Sequence, residues 1–397
     1  MACVSILRPW WGSAKERLSR LPDHGLSPRD DWALFTGRRS NPIDIEAARS
    51  TLTGKRVLIT GAGGYIASAL VKALACIDLS DLILLDIIEA GLHQLDLDLR
   101  LVPARPPTRL VVGSVQDSDL LREIATRHNP QIVIHAAACK HVPLMEANPF
   151  MAASTNVLGT QQIVKAAIAS GAEQCVLLST DKAVDPASIM GATKRIAELV
   201  MIGQHGHTHT KVLRLGNVLG SSGSVVPFFL QQIAGGGPVT VSDPEANRYF
   251  LSVNEAVQHL LTAVSTDIAC AILIPDITEP HRIYDLAKFL IAKEAGAASE
   301  QVQIVFTGLR PGDKLAERML APAESLAPAG LNGGLHRVIT RAPSSSILAH
   351  CLTEIKDALR ERDLNRLLQA IQIAVPEYVP SALLQSELSQ DQNVHST

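Results

Sequence analysis

Residues 55–68 read KRVLITGAGGYIAS: a nearly unbroken apolar run, then three glycines, then residues of helical character. A run of that kind suits a parallel strand buried on both faces. Glycines directly after it let the backbone turn tightly and approach a bound phosphate closely. The helix that follows would point free N–H groups and the positive end of its dipole at the same anion. Asp86 closes the next apolar run, 25 positions after Gly61. A carboxylate there either caps a helix or accepts hydrogen bonds from the ribose hydroxyls of a dinucleotide while repelling a 2′-phosphate. The second option favours NAD over NADP.

The pattern continues. Further apolar runs lie at 82–85, 110–112, 132–134, 175–178 and 212–215, with helix-length segments at 67–75, 119–127, 151–169 and 190–202. Six strands alternating with helices predict an α/β fold, a doubly wound parallel (Rossmann) sheet, over 51–215. From Gly216 onward glycines and Pro238 break the rhythm, and 216–342 is expected to form a smaller substrate lobe whose chain may re-enter the sheet. Within it, helices are expected at 253–264 and 283–293 and strands at 271–274 and 302–306. Residues 343–385 read as C-terminal helices, 386–397 as a frayed tail, and 1–50 as an extension with a short helix near 13–21.

Composition narrows the functional class. Apolar residues make up 47% and charged residues 19% of 397 residues, enough for a large buried core. A net charge of −3 gives no electrostatic reason to expect nucleic acid. Six scattered cysteines without a C-x-x-C pair suggest reduced thiols and no zinc site. No apolar run is long enough for a membrane span and no signal peptide is evident, so a cytoplasmic location is expected. His205, His207 and His209 alternate in a glycine-containing segment that reads as a solvated loop, with a metal site as the alternative.

The densest chemistry lies in STDKAV, from Ser179, and MGATK, from Met190. The fifth strand would deliver Thr180, Asp181 and Lys182 to the carboxyl edge of the sheet, where such folds bind ligands. Met190 and Lys194, four apart, would share one face of the next helix. Asp181, Lys182 and Lys194 would then converge on one place. Asn217 follows the sixth strand and is either a turn former after Gly216 or a polar contact to a ligand.

These stretches, with HAAACKHVPLMEANP from His135, TNVLGT from Thr155, RLGNVLGSSGSVVPFF from Arg214 and FTGLRPGDKL from Phe306, resemble the UDP-N-acetylglucosamine 4,6-dehydratases, within the extended short-chain dehydrogenases/reductases. The resemblance spans about residues 34 to 380. It implies NAD held by Gly61, Gly63, Gly64, Tyr65, Ile66, Asp86, Ala136, Ala137 and Lys194. It implies a UDP-sugar held by Lys140, His141, Asn217, Ser224, Arg248 and Arg310, and a homo-oligomer is expected. The implied reaction oxidises C4 of the sugar, removes the C5 proton and the C6 hydroxyl, and returns the hydride to C6. Asp181 would protonate the leaving hydroxyl, Lys182 would take the C5 proton, Thr180 would hold the C4 oxygen and Lys194 the nicotinamide ribose. Met190 stands where the superfamily has a catalytic tyrosine, so a water or Lys182 is left as the base for C4 oxidation. Ala67, Ser114 and Ser222 also depart from the family pattern, at the third loop glycine, an acid near adenine and an arginine. An epimerase of the same fold and a non-catalytic NAD-binding scaffold are the competing readings.

Overall fold

The apolar runs assemble edge to edge in the computed structural model, which describes residues 32–38, 43–204, 206–276, 279–294, 301–328, 331 and 333–394. They form β1 (Arg56–Thr60), β2 (Asp81–Asp86), β3 (Thr108–Val112), β4 (Ile132–His135), β5 (Gln174–Thr180) and β6 (His209–Leu215). Three later strands join them: β7 (Ala271–Pro275), β8 (Ser325–Leu326) and β9 (Leu335–Ile339). The sheet runs β8-β9-β7-β6-β5-β4-β1-β2-β3. All pairs among β1–β7 are parallel, whereas β9 runs antiparallel to both β7 and β8. The expected doubly wound sheet is therefore present. Strand order reverses between β1 and β4, and a crevice opens there at the carboxyl edge. The register sets Thr60 beside His135, and His135 beside Leu177.

Each face of the sheet carries its own core. On one face lie helices Glu46–Leu52, Tyr65–Leu74 and Val253–Ser265, whose Leu52, Leu70 and Leu260 are fully buried. The last of these begins with a capping box between Ser252 and Glu255, which satisfies two otherwise unpaired N–H groups. On the other face lie helices Ser118–His128, Thr160–Ala169 and Ile189–Ile202, covered in turn by Ser345–Glu361 and Leu364–Ala374. Every residue of Ile189–Ile202 is buried. A third, smaller core gathers Phe229, Phe250 and Leu286 between helices Val225–Ala234 and Ile283–Glu294. That lobe is stitched by short strand pairs, Asn217–Val218 with Phe250–Leu251 and Val239–Val241 with Ile304–Phe306.

Several expectations need correction. The span 151–169 is not one α-helix: Pro149–Ala152 and Thr160–Ala169 flank a π-helical turn, Ala153–Gly159. The wider turn places the Asn156 amide where it both accepts from Cys139 N–H and donates to Cys139 C=O, at 2.8 and 3.1 Å. Gly159 sits so close to Val115 that an added Cβ would lie 2.8 Å from its methyl. The supposed tail is helical over Ala382–Val394, because Leu384 and Leu388 pack on the core. The N-terminal extension contains helices at Trp32–Thr36 and Glu46–Leu52, and the first docks Phe35 against Phe250 and Phe289. The short helix expected near 13–21 lies outside the described residues. No helix among the described residues is long and apolar enough to cross a membrane.

Candidate active site

At the crevice, Gly61 adopts a left-handed φ of 67°, and a Cβ there would fall 2.6 Å from the Ala137 nitrogen. The loop thus lies directly against Ala136 and Ala137, and only glycine permits both the angle and the approach. Asp86 accepts the N–H of Gly63 at 2.9 Å through Oδ2 and that of Ile88 at 2.9 Å through Oδ1. Asp86 therefore orders the loop, and each oxygen keeps a lone pair for a further donor. Gly64 caps the helix that starts at Tyr65, without a side-chain bond to its N–H groups. The Tyr65 hydroxyl donates to Leu219 C=O at 3.2 Å, and Ile66 is packed against the core. This cradle fits a dinucleotide phosphate. Ala67, in place of a third glycine, is buried within the core. Ser114 Oγ accepts the N–H of Gln116 at 3.1 Å.

β5 ends in the polar cluster. Asp181 is fully buried, and its Oδ1 receives Lys182 Nζ and Thr180 Oγ1, each at 2.9 Å. Its Oδ2 is buried with no hydrogen-bond partner. Lys182 Nζ also donates to Asn217 Oδ1 at 2.8 Å. Lys194, on the next helix, donates its Nζ to the Leu178 carbonyl of β5 at 2.7 Å. Burial, against the pull of Glu198, lowers its pKa to about 8. Met190 is buried in the apolar core. Behind Lys194, His135 bridges the hydroxyls of Thr60 and Thr160 at 2.7 and 3.1 Å. Full burial, and then the charge of Lys194, depress its pKa to about 3, so it stays neutral.

The ligand candidates divide between two places. Lys140 Nζ donates to Ser222 C=O at 2.9 Å, and the His141 ring abuts Gly223. Burial depresses the pKa of both, and for His141 the Lys140 charge adds to it. Nearby, Ser224 Oγ is buried and unpartnered just before helix Val225–Ala234. Arg248 spends its terminal nitrogens on the carbonyls of Asn247, Lys314 and Leu315 at 2.6 to 3.1 Å. Arg310 is exposed and pairs with Asp313 at 2.7 Å.

Glu317 escaped the sequence reading. It is buried 4.0 Å from both Lys182 Nζ and Arg248 Nε, and 3.0 Å from Lys314 Nζ. Burial opposes its charge, but Lys182, Lys314 and Arg248 prevail and hold its pKa below the ordinary carboxylate value. Its nearest sequence signal is the i,i+3 spacing from Lys314 in the stretch after Arg310. Among the described residues no cluster of histidine, cysteine and acid is arranged to hold a metal. His209 opens β6 beside Asp267, and His205 lies outside the described residues.

The fold and this site define a doubly wound α/β protein with a glycine-rich cradle suited to a dinucleotide and a buried carboxylate–lysine pair at the end of β5. Residues 57–333 match the family described as polysaccharide biosynthesis protein, and the chain belongs to it. It is 42% identical over 290 residues to "Probable polysaccharide biosynthesis protein EpsC" of Bacillus subtilis, covering 72% of this chain and 48% of EpsC. The chain thus spans about half the length of such a relative. To the UDP-N-acetylglucosamine 4,6-dehydratase (inverting) of Campylobacter jejuni it is 34% identical over 226 residues, 55% of this chain and 64% of that one. To the UDP-glucose 4-epimerase of Rickettsia akari it is 31% identical over 293 residues, 72% and 82% of the two chains. Pen from Bacillus thuringiensis superposes with a TM-score of 0.62 and 29% identity over 66% of this chain and 82% of Pen. DesIV, a dTDP-glucose 4,6-dehydratase of Streptomyces venezuelae solved with NAD and TYD, shares the fold at a TM-score of 0.56 and 24% identity over 66% and 87%.

Proposed function

We propose that this chain is a nucleotide-sugar 4,6-dehydratase acting on UDP-N-acetylglucosamine or a close UDP-hexosamine, with NAD rather than NADP. One observation carries the reading: Asp181 and Lys182 are hydrogen-bonded at 2.9 Å at the carboxyl end of β5, with Asp181 Oδ2 buried and unpartnered. Simple C4 epimerisation needs neither an acid at C6 nor a base at C5; dehydration needs both.

A nicotinamide in the Gly61–Asp86 cradle would take hydride from C4 and return it to C6. The residues account for the protons. Met190 carries none, so the C4 hydroxyl proton leaves through Thr180, whose hydroxyl donates to Asp181 Oδ1 at 2.9 Å. Lys182, as the free amine, takes the C5 proton. The C6–O bond breaks as Asp181 gives its proton to the leaving oxygen, forming water. Lys182 then returns its proton to C5. Each residue ends as it began, and the proton lost from the C4 hydroxyl has departed in the water. Lys194 holds the nicotinamide ribose, while Lys140, His141 and Ser224 face the sugar and diphosphate, with Arg248 and Arg310 on the nucleotide side. In this reading Asp86 excludes a 2′-phosphate.

Incubation with UDP-N-acetylglucosamine and NAD should yield a nucleotide-sugar lighter by one water. The Rickettsia akari relative, covered over 82% of its length, favours a second reading, C4 epimerisation. An epimer of unchanged mass would establish it in place of dehydration.

A further inference from the structure

Glu146 is fully buried on the helix that follows Lys140 and His141. Among the described residues no lysine or arginine forms an ion pair with it. Its Oε1 accepts the N–H of Ile189, the first residue of the helix that carries Met190 and Lys194, at 2.7 Å. Its Oε2 accepts the hydroxyl of Ser381, more than two hundred residues away. Gly312, in the turn that carries Arg310, lies so close that an added Cβ would sit 3.2 Å from the Glu146 carboxyl carbon. One buried carboxylate therefore touches the sugar-side loop, the start of the Lys194 helix, the Arg310 turn and the C-terminal segment.

We infer that Glu146 is a positioning residue: it seats the N-terminus of helix Ile189–Ile202, and so the Lys194 ammonium, and locks that seat to the C-terminal segment through Ser381. The helix end explains how the carboxylate is tolerated, since unpaired N–H groups and the dipole favour an anion there. The charged groups facing Glu146 are Asp313 from the Arg310 turn and Glu387 from the C-terminal helix, both acids, and the buried Tyr378 phenol lies nearby. Burial lifts the Glu146 pKa above the ordinary carboxylate value, Asp313 and Glu387 add to it, and Ser381 and the Ile189 N–H oppose it. Protonation removes the anion from the helix end and weakens the acceptor of the Ile189 N–H, so the seat loosens as pH falls.

The inference rests on the proposed placing of Lys194 at the nicotinamide ribose, and two readouts keep the questions apart. The first needs no turnover: amide hydrogen exchange over residues 189–194 and NAD affinity by titration calorimetry. E146A should speed exchange there and weaken NAD roughly 10-fold or more. E146Q, which keeps an acceptor oxygen but no charge, should recover part of both, as the protonated carboxyl would. The second uses turnover with UDP-N-acetylglucosamine. E146A should lower kcat by about 100-fold, the usual cost of about 1 Å of misplacement, with the sugar KM nearly unchanged. E146Q should recover part of kcat at neutral pH and lose the acid limb that Glu146 imposes, because its amide cannot titrate. If E146A fails to fold, the E146Q profile decides alone. An E146A enzyme with wild-type exchange and NAD affinity overturns the inference, and so does an E146Q acid limb identical to wild type. Absence of dehydration by the wild-type chain would sink the proposed reaction while leaving the exchange and affinity test of the seat intact.

Discussion

Lys182 and Asp181 sit 2.9 Å apart yet serve different bonds in the proposed reaction, so substitution separates them. Lys182→Ala should lower turnover by roughly two to four orders of magnitude and leave the C5 position unexchanged in deuterated water. Asp181→Asn should lose turnover on the same scale but leave the nicotinamide oxidised, because Asp181 also receives the C4 hydroxyl proton through Thr180, whereas Lys182→Ala should stall with the nicotinamide reduced. Met190→Leu should cost far less than either, because Met190 contributes packing alone; abolition of activity by that change would refute the division of roles. Asp86→Ala should narrow the gap between NAD and NADP affinities, and a wild-type preference for NADP would remove the basis for the cofactor choice. At this scale the sequence is legible where chemistry is local. Asp181 and Lys182 are neighbours, and Gly61 is recognisable from the strand before it and the helix after it. Glu317 and Glu146 are not legible, because their meaning comes from Lys182, Arg248 and Ile189, which no spacing rule connects to them.

The β1 loop is held by geometry as much as by hydrogen bonds. Gly61 combines a left-handed φ with backbone contact to Ala137, whereas Ala67 shows that the neighbouring helix tolerates a methyl group. Gly61→Ala should therefore force β1 and β4 apart at their carboxyl ends. Expected outcomes are NAD binding too weak to titrate and a lower Tm, since the angle alone costs about 1–2 kcal/mol. Retention of wild-type NAD affinity would show that the loop is not the phosphate site. Strand limits follow the apolar runs closely because parallel strands are apolar on both faces. The π-turn at Ala153–Gly159 follows no such periodicity. It answers to Asn156, whose amide must reach Cys139 and Thr193 at once. The C-terminal helix was hidden for a related reason: its polar sequence masks the two leucines that bind it to the core.

Across the whole molecule, buried charge ties the two halves of the chain together. Arg214 on β6, fully buried, bonds Glu198 and Glu324, and Arg195 pairs with the same two acids at 2.9 and 3.1 Å. These residues link helix Ile189–Ile202, the sheet and the segment before β8, so that folding of the lobe is bound to folding of the sheet. Arg214→Met should destabilise the fold by about 3–5 kcal/mol in urea titration, the cost of leaving buried acids without their partner. Two of the groups buried here also dictate how stability responds to acid. Burial works against the charge of Glu324, but Arg214 and Arg195 overcome it and hold its pKa at about 2, below the ordinary value of 4.5. His135 is depressed by burial and Lys194 to about 3, below the ordinary value of 6.5. Both shifts are downward, so the unfolded chain binds these protons more readily, and stability is lost as pH falls. The His135 contribution is complete above pH 6.5 and declines from there toward about 3, whereas the Glu324 contribution begins to fall only near 4.5. His135→Gln can keep contacts to the Thr60 and Thr160 hydroxyls but cannot titrate. It should flatten the stability curve between pH 6.5 and 4.5 while leaving the steeper loss below that range, as measured by thermal melts across pH. An unchanged slope in the upper window would mean that His135 is not the group whose protonation the fold resists.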